Sequence, residues 1–250
     1  MIRAVASAAD KQQFAKAVCG KPYFQALLGR DLALWADNPG APVKLFVLSG
    51  AALAVSGCSA QLCGKPQNWE ETVCFLRFAG VARLTTDQPS TGPARLPLRR
   101  ALHLYRLSAG QSLPTGPAPE GLTLRSAPPV MEIAQRLFAG EPERVDAFYS
   151  EACTALAHGY AAVRALYDGQ GRMVSTVGAY AMANAEAYMA MGETVEELRG
   201  QGIGGWLIPT FANELAAQGW QVTFLCEEKR RHFYDGLGFS CVGKYYQYRL

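Results

Sequence analysis

The sequence is poor in the features that would assign it quickly to a class. It has no long hydrophobic run: the most apolar stretch, Leu45 to Val55, is broken by Ser49 and Gly50 and is about half the length of a membrane-spanning helix. Met1 to Phe14 contains no apolar segment and carries Asp10 and Lys11, so no signal peptide is expected. Charge is nearly balanced, with 24 Lys and Arg against 21 Asp and Glu. A net charge of +3 is too small to point to nucleic acid or to an anionic membrane as a partner. The only histidines are His103, His158 and His232, and the seven cysteines form no CxxC pair. No ligand spacing for a metal results. The cysteines read as reduced thiols, which makes a cytoplasmic location the expectation.

What is present is enough apolar material for a packed core. Half of the 250 residues are hydrophobic and 18% are charged, which argues against disorder and allows two domains of ordinary size. Between them, Ser108 to Gly121 holds three prolines and three glycines, a composition that cannot sustain a helix or a central strand.

The second half alternates between strand and helix signals. Leu122 to Ala127 reads as a strand, Pro128 to Phe138 and Pro142 to His158 as helices, and Ala161 to Tyr167 with Arg172 to Met182 as a hairpin. Glu186 to Val195 is a strand, and Gly200 to Gln218 a glycine-rich loop followed by a helix that Gly219 ends. Pro209 inside that helix should bend it, and Trp206, Phe211 and Leu215 read as core. Trp220 to Cys226 is a strand, Lys229 to Leu237 a short helix stopped by Gly238, and Phe239 to Leu250 supplies the final strands.

The first half repeats part of this order more faintly. Lys44 to Leu48 and Ala51 to Val55 resemble the hairpin, and Trp69 to Ala79, Gly80, Val81 to Thr85 resembles helix, glycine, strand. The halves end alike, in Leu104-Tyr-Arg-Leu107 and Gln247-Tyr-Arg-Leu250. A duplicated fold follows as an expectation.

Arg199-Gly-Gln-Gly-Ile-Gly-Gly205 lies between a predicted strand and a predicted helix. Glycines let successive backbone amides turn toward one point, and the helix start adds its own free amides and dipole. Arg199 can add a fixed charge. That chemistry suits a pyrophosphate. With 25 glycines in the chain, so short a pattern arises by chance about 0.3 times, so its context must carry the reading. The loop lacks the Gly-Lys-Ser/Thr of a P-loop, and it comes too late in the chain for a dinucleotide fold.

Glu197-Leu-Arg-Gly-Gln-Gly-Ile-Gly204 resembles the acetyl-CoA loop of the GNAT superfamily of N-acetyltransferases, Q/R-x-x-G-x-G/A. Phe233-Tyr-Asp-Gly-Leu-Gly-Phe239, about thirty residues on, resembles that family's second signature. The resemblance covers residues 122–250. It implies an α/β fold (α+β, with a mixed sheet) made of tandem GNAT-like acyl-CoA N-acyltransferase folds, the second intact and the first degenerate. Residues 1–110 would form the degenerate domain, 111–121 a linker and 122–250 the acetyltransferase.

The resemblance also implies roles for particular residues. Backbone groups of Gly192, Thr194 and Val195 would pair with the pantetheine arm of acetyl-CoA, in a gap between the strands at Glu186 and Gln221. Arg199, Gly200, Gln201, Gly202, Ile203, Gly204 and Gly205 would hold its pyrophosphate. Tyr234 would protonate the departing thiolate, or else be a packed aromatic. Glu186, thirteen residues before Arg199, would be the general base, or else a solvated strand-end carboxylate; Glu193 is a second candidate. Departures stand at Glu196, Leu198 and Arg230, where the family has Pro, Tyr and Asn. Arg230 sits in a charged run, Glu227 to His232, which reads as a solvated helix face or as a contact to the 3′-phosphate of CoA. The implied reaction moves an acetyl group to a primary amine of a small molecule or peptide, whose pocket would be built around Gly140 to His158. The alternative is a catalytically silent acyl-CoA-binding module. Neither nucleic acid nor a membrane is an expected partner, and a homodimer is admissible.

Overall fold

The computed structural model describes residues 1–250, and their contacts divide into two compact units. The first is Met1–Tyr105 with Leu225–His232 and Cys241–Leu250; the second is Arg106–Phe224 with Phe233–Ser240. The closing segment therefore belongs to the first unit, although the sequence places it in the second half. No helix is long and apolar enough to cross a membrane.

The first unit opens with β1 (Arg3–Ala4), α1 (Ala8–Val18) and α2 (Pro22–Trp35). Sequence periodicity did not reveal these helices, yet each has a start signal. Ser7 and Asp10 form a reciprocal capping box on α1, and Pro22 stands at the first turn of α2. Strands β2 (Val43–Leu48), β3 (Ala51–Ser56) and β4 (Ser59–Gly64) pair antiparallel in sequence. Helix α3 (Trp69–Phe78) then crosses over to β5 (Arg83–Thr86), which pairs parallel to β4. On the other side of β5 lies β12 (Ser240–Arg249), antiparallel from Tyr246↔Thr86 to Arg249↔Arg83. β6 (Leu98–Leu107) follows in the order. Leu53, Leu62, Leu76 and Leu84 are fully buried at the centre, with Tyr248 of β12 in the same cluster.

The second unit begins with Arg106 and Leu107 at the end of β6. The Pro- and Gly-rich segment has no regular element, but its start is anchored. Leu113 exchanges two hydrogen bonds with the Asn213 side chain, at 2.7 and 2.9 Å. Then come β7 (Thr123–Arg125), α4 (Val130–Leu137), α5 (Pro142–Ala157), β8 (Ala162–Tyr167), β9 (Met173–Ala183) and β10 (Glu186–Thr194). These four strands pair antiparallel in order. Helix α6 (Ile203–Ala217) crosses over to β11 (Gln221–Cys226), parallel to β10, and the short α7 (Arg231–Gly236) precedes β12. Phe211 and Leu215 of α6 are buried as expected; Trp206 is only half-buried.

Both units thus run strand, two helices, three antiparallel strands, helix, parallel strand. One parallel pair in each requires a crossover helix, and the turn entering that helix lies at the carboxyl ends of β4 and β10, where α/β sheets place ligands.

Candidate active site

The site is built where β10 and β11 stop pairing. Their ladder runs only from Glu186↔Gln221 to Tyr188↔Thr223, although β10 continues to Thr194 and β11 to Cys226. Beyond the ladder, β10 carries an extra residue against β9, between Ala190 and Glu193. Met191 takes φ +56°, uncommon for a side-chain-bearing residue. The alternation of faces that a regular strand would show along β10 is therefore interrupted. The bulge leaves Met191 and Gly192 exposed.

Other groups at this strand end are already engaged. The Ser175 hydroxyl donates to the Glu193 carbonyl at 3.0 Å, and the Val195 amide donates to Val174 at 2.9 Å. Arg199 folds back, its Nε donating to the Thr194 carbonyl at 3.0 Å and its guanidinium lying 3.9 Å from Glu193. Of the strand residues named from the sequence, Gly192 offers the exposed backbone, whereas Thr194 and Val195 hold the strand end together.

The turn into α6 is bare. Gly200 and Gly202 adopt φ +79° and +78°, and a Cβ on either would meet nothing within 4 Å. Gly202 is the N-cap and supplies no side-chain hydrogen bond, and the first turn has no acidic residue. The leading amides of a helix lack internal acceptors, so those of Ile203, Gly204 and Gly205 face this opening with the positive end of the dipole. The matching turn of the first unit is the reverse. Asn68 Oδ1 caps α3 by accepting from the Glu71 amide at 3.0 Å, and Glu70 and Glu71 put negative charge in its first turn. A cavity of about 770 Å³ lies there, lined among others by Leu48, Gln67, Asn68, Trp69 and Glu71.

Glu186 is not the solvated carboxylate that its strand-end position suggests. It is 6% exposed. Arg106 Nη2 donates to its Oε1 at 2.8 Å, while Oε2 has no hydrogen-bond partner in the protein. Burial pushes its pKa up to about 7, against the lowering effect of the Arg106 charge. Sequence reading missed Arg106; its one signal was the repeated Tyr-Arg-Leu ending of the two halves.

Tyr234 is half-buried on α7, its ring 4.4 Å from Phe224 of β11 between centroids, with Phe239 at 4.8 Å from Phe224. Phe224 is three residues along β11 from Gln221, the partner of Glu186, so about 10 Å separates the two strand positions at 3.3 Å per residue. Arg230 lies in the 3-10 turn Glu228–Arg230, which belongs to the first unit. The run around it is more than a solvated face: Glu227 pairs with Arg100, and Glu228 with His103 and Arg231. Between α4 and α5, Phe138, Gly140, Glu141, Pro142, Val145 and Asp146 line a cavity of about 390 Å³.

No protein-family model matches this chain, and no curated protein does. Solved structures do. A tandem GNAT protein from the clavulanic acid biosynthesis pathway, solved without acetyl-CoA, is 15% identical, with a TM-score of 0.59 over 100% of this chain and 98% of its own. A GCN5-related N-acetyltransferase from Kribbella flavida gives 0.65 at 15% identity, covering 93% and 94%. One from Sphaerobacter thermophilus gives 0.63 at 16%, covering 100% and 95%. The fold is that of the GNAT proteins. At such identities the likeness speaks for the GNAT fold and not for a substrate.

Proposed function

We propose that the chain transfers an acetyl group from acetyl-CoA to a primary amine of a small molecule or peptide, using residues of the half at 122–250 and leaving the first half as a degenerate copy. The observation that carries this is the bare glycine turn of α6 beside the point where β10 and β11 cease to pair. Gly200 to Gly205 would hold the pyrophosphate, and Gly192 the pantetheine arm. The contrast with Asn68, Glu70 and Glu71 supports leaving the first unit without that donor.

In this reading the amine nitrogen attacks the thioester carbonyl carbon, the C–S bond breaks, and the thiol leaves. Glu186 takes the ammonium proton, through Oε2, directly or across one water; a carboxylate near 7 is matched to that task. Tyr234 supplies a proton to the thiolate, since a phenol and an alkyl thiol have comparable ordinary pKa values. Asp146 beside the α4–α5 cavity suits a cationic acceptor; Glu141 on the same rim is already paired with Arg144.

The test is steady-state release of free CoA thiol across a panel of amines. Turnover with at least one amine is expected. Tight acetyl-CoA binding with no turnover on any would favour the silent acyl-CoA-binding module instead. Tyr234→Phe separates the two: the enzyme should slow about 10²-fold, while a binder keeps its affinity.

A further inference from the structure

The first unit holds a group of reactive side chains that acetyl transfer to an amine leaves unused. Cys241, exposed at the start of β12, has its Sγ 3.8 Å from His103 Nδ1 on β6, and 4.0 Å from the Gly243 carbonyl. The other ring nitrogen, Nε2, is 2.5 Å from Glu228 Oε2. Glu228 is also paired with Arg231 at 3.2 Å. His103 is 2% exposed, whereas the Glu228 side chain is 73% exposed.

These contacts set proton positions. An ionised carboxylate only accepts, so Nε2 carries the hydrogen and donates it to Glu228. That leaves the Nδ1 lone pair toward the thiol. The imidazole is buried between its neighbours, while Cys241 is exposed. A nucleophile, a base and a group that orients the base stand in line, the arrangement that activates a thiol for attack on a carbonyl.

We propose that Cys241 is an acyl-accepting nucleophile, with His103 as its base, Glu228 as the residue positioning that base, and acyl thioesters as the substrate class. The step balances without any further reactant. The Cys241 proton passes to His103 Nδ1, Sγ bonds to the thioester carbonyl carbon, the carbon–sulfur bond to the donor thiol breaks, and the imidazolium returns the proton to the leaving thiolate. One thioester replaces another. Disulfide chemistry at the same sulfur would need an oxidant, which transthioesterification does not. The choice of thioester rests on reading the second unit as a thioester site; the activation of the sulfur does not.

The experiment uses the full chain and S-acetyl-N-acetylcysteamine, a thioester without a nucleotide, so that a failed CoA site cannot mask the result. Peptide mass spectrometry follows acetylation at each cysteine, and the exposed Cys19 and Cys74 serve as internal references. At pH 7, Cys241 should gain its acetyl group about tenfold faster than either reference. Glu228→Gln, at an exposed side chain, should erase most of that advantage with an unchanged melting temperature, and His103→Gln should erase all of it. Acetylation of Cys241 no faster than at Cys19, or an advantage untouched by Glu228→Gln, overturns the proposal. Fast alkylation by iodoacetamide without acetylation overturns its substrate class. Thiol acylation without amine turnover would leave this centre standing and remove the transferase; amine turnover without thiol acylation would do the opposite.

Discussion

Arg106 Nη2 and Glu186 Oε1 lie 2.8 Å apart, joining the end of β6 to the first residue of β10. The pair leaves one carboxylate oxygen held and the other buried without a partner. Two opposed effects meet there, since burial raises the pKa and the guanidinium lowers it, and burial is the larger. A base that must be ionised to work should therefore give kcat/KM a limb rising with pH near 7. Arg106→Met removes the lowering effect and should move that limb upward by about one unit, with a several-fold loss at pH 7 that recovers at pH 9. An unmoved limb would mean that Arg106 only packs.

The same carboxylate should weaken the fold as pH rises. Its folded pKa is above the ordinary 4.5, at about 7, so its contribution to stability is full below 4.5 and is lost as pH climbs through 7. The loss at pH 8 is up to about 3 kcal/mol, from the size of the shift. Glu186→Gln keeps an oxygen for Arg106 and cannot ionise. It should cost about 10²-fold or more in turnover while melting above the native protein at pH 8, and show no such gain at pH 4. Melting curves at the two pH values test this; equal melting at pH 8 would contradict the burial of an ionised Glu186.

The glycine turn makes a different prediction, because strain and occupancy separate there. Alanine at Gly202 meets no atom, so its cost to the fold is the left-handed backbone alone, about 1 kcal/mol. If the empty space is where phosphate oxygens sit, the same methyl group should weaken acetyl-CoA binding by more than about tenfold. Calorimetry with acetyl-CoA decides: an unchanged Kd in a folded Gly202→Ala protein would remove the turn from the site.

Much of this was legible in the sequence, for identifiable reasons. The helix Trp69 to Ala79, and the loop and helix of Gly200 to Gln218, were marked by the glycines that end them, Gly80 and Gly219, and they fall at α3 and α6. The parallel partners β5 and β11 begin shortly after the helix-ending glycines, at Arg83 after Gly80 and at Gln221 after Gly219. What escaped was set by distant chain. The burial of Glu186 comes in part from Arg106, eighty positions away, and no local pattern encodes that. The bulge at Met191 defeats alternation because an extra residue has no signature in hydropathy. The helices α1 and α2 escaped because their caps, Ser7 with Asp10 and Pro22, are local signals that periodicity alone does not weigh.

The proline-rich boundary and the contacts of the folded chain lead to a last prediction, about where it can be cut. A fragment of residues 122–250 omits Arg106 and the two hydrogen bonds between Leu113 and Asn213. It also leaves β12 without β5, its antiparallel neighbour over Tyr246 to Arg249. Tyr245 and Tyr248, 4% and 3% exposed in the whole chain, would then face water, at about 2 kcal/mol each for a buried large side chain. An orphaned strand edge invites pairing with other copies. The fragment should aggregate or lack a cooperative melt, and starting it at residue 106 should restore the Glu186 partner without restoring solubility. Soluble yield and thermal melting of the two fragments test this. A fragment 122–250 that is soluble, melts cooperatively and turns over amines at the full rate would show that β12 does not need β5.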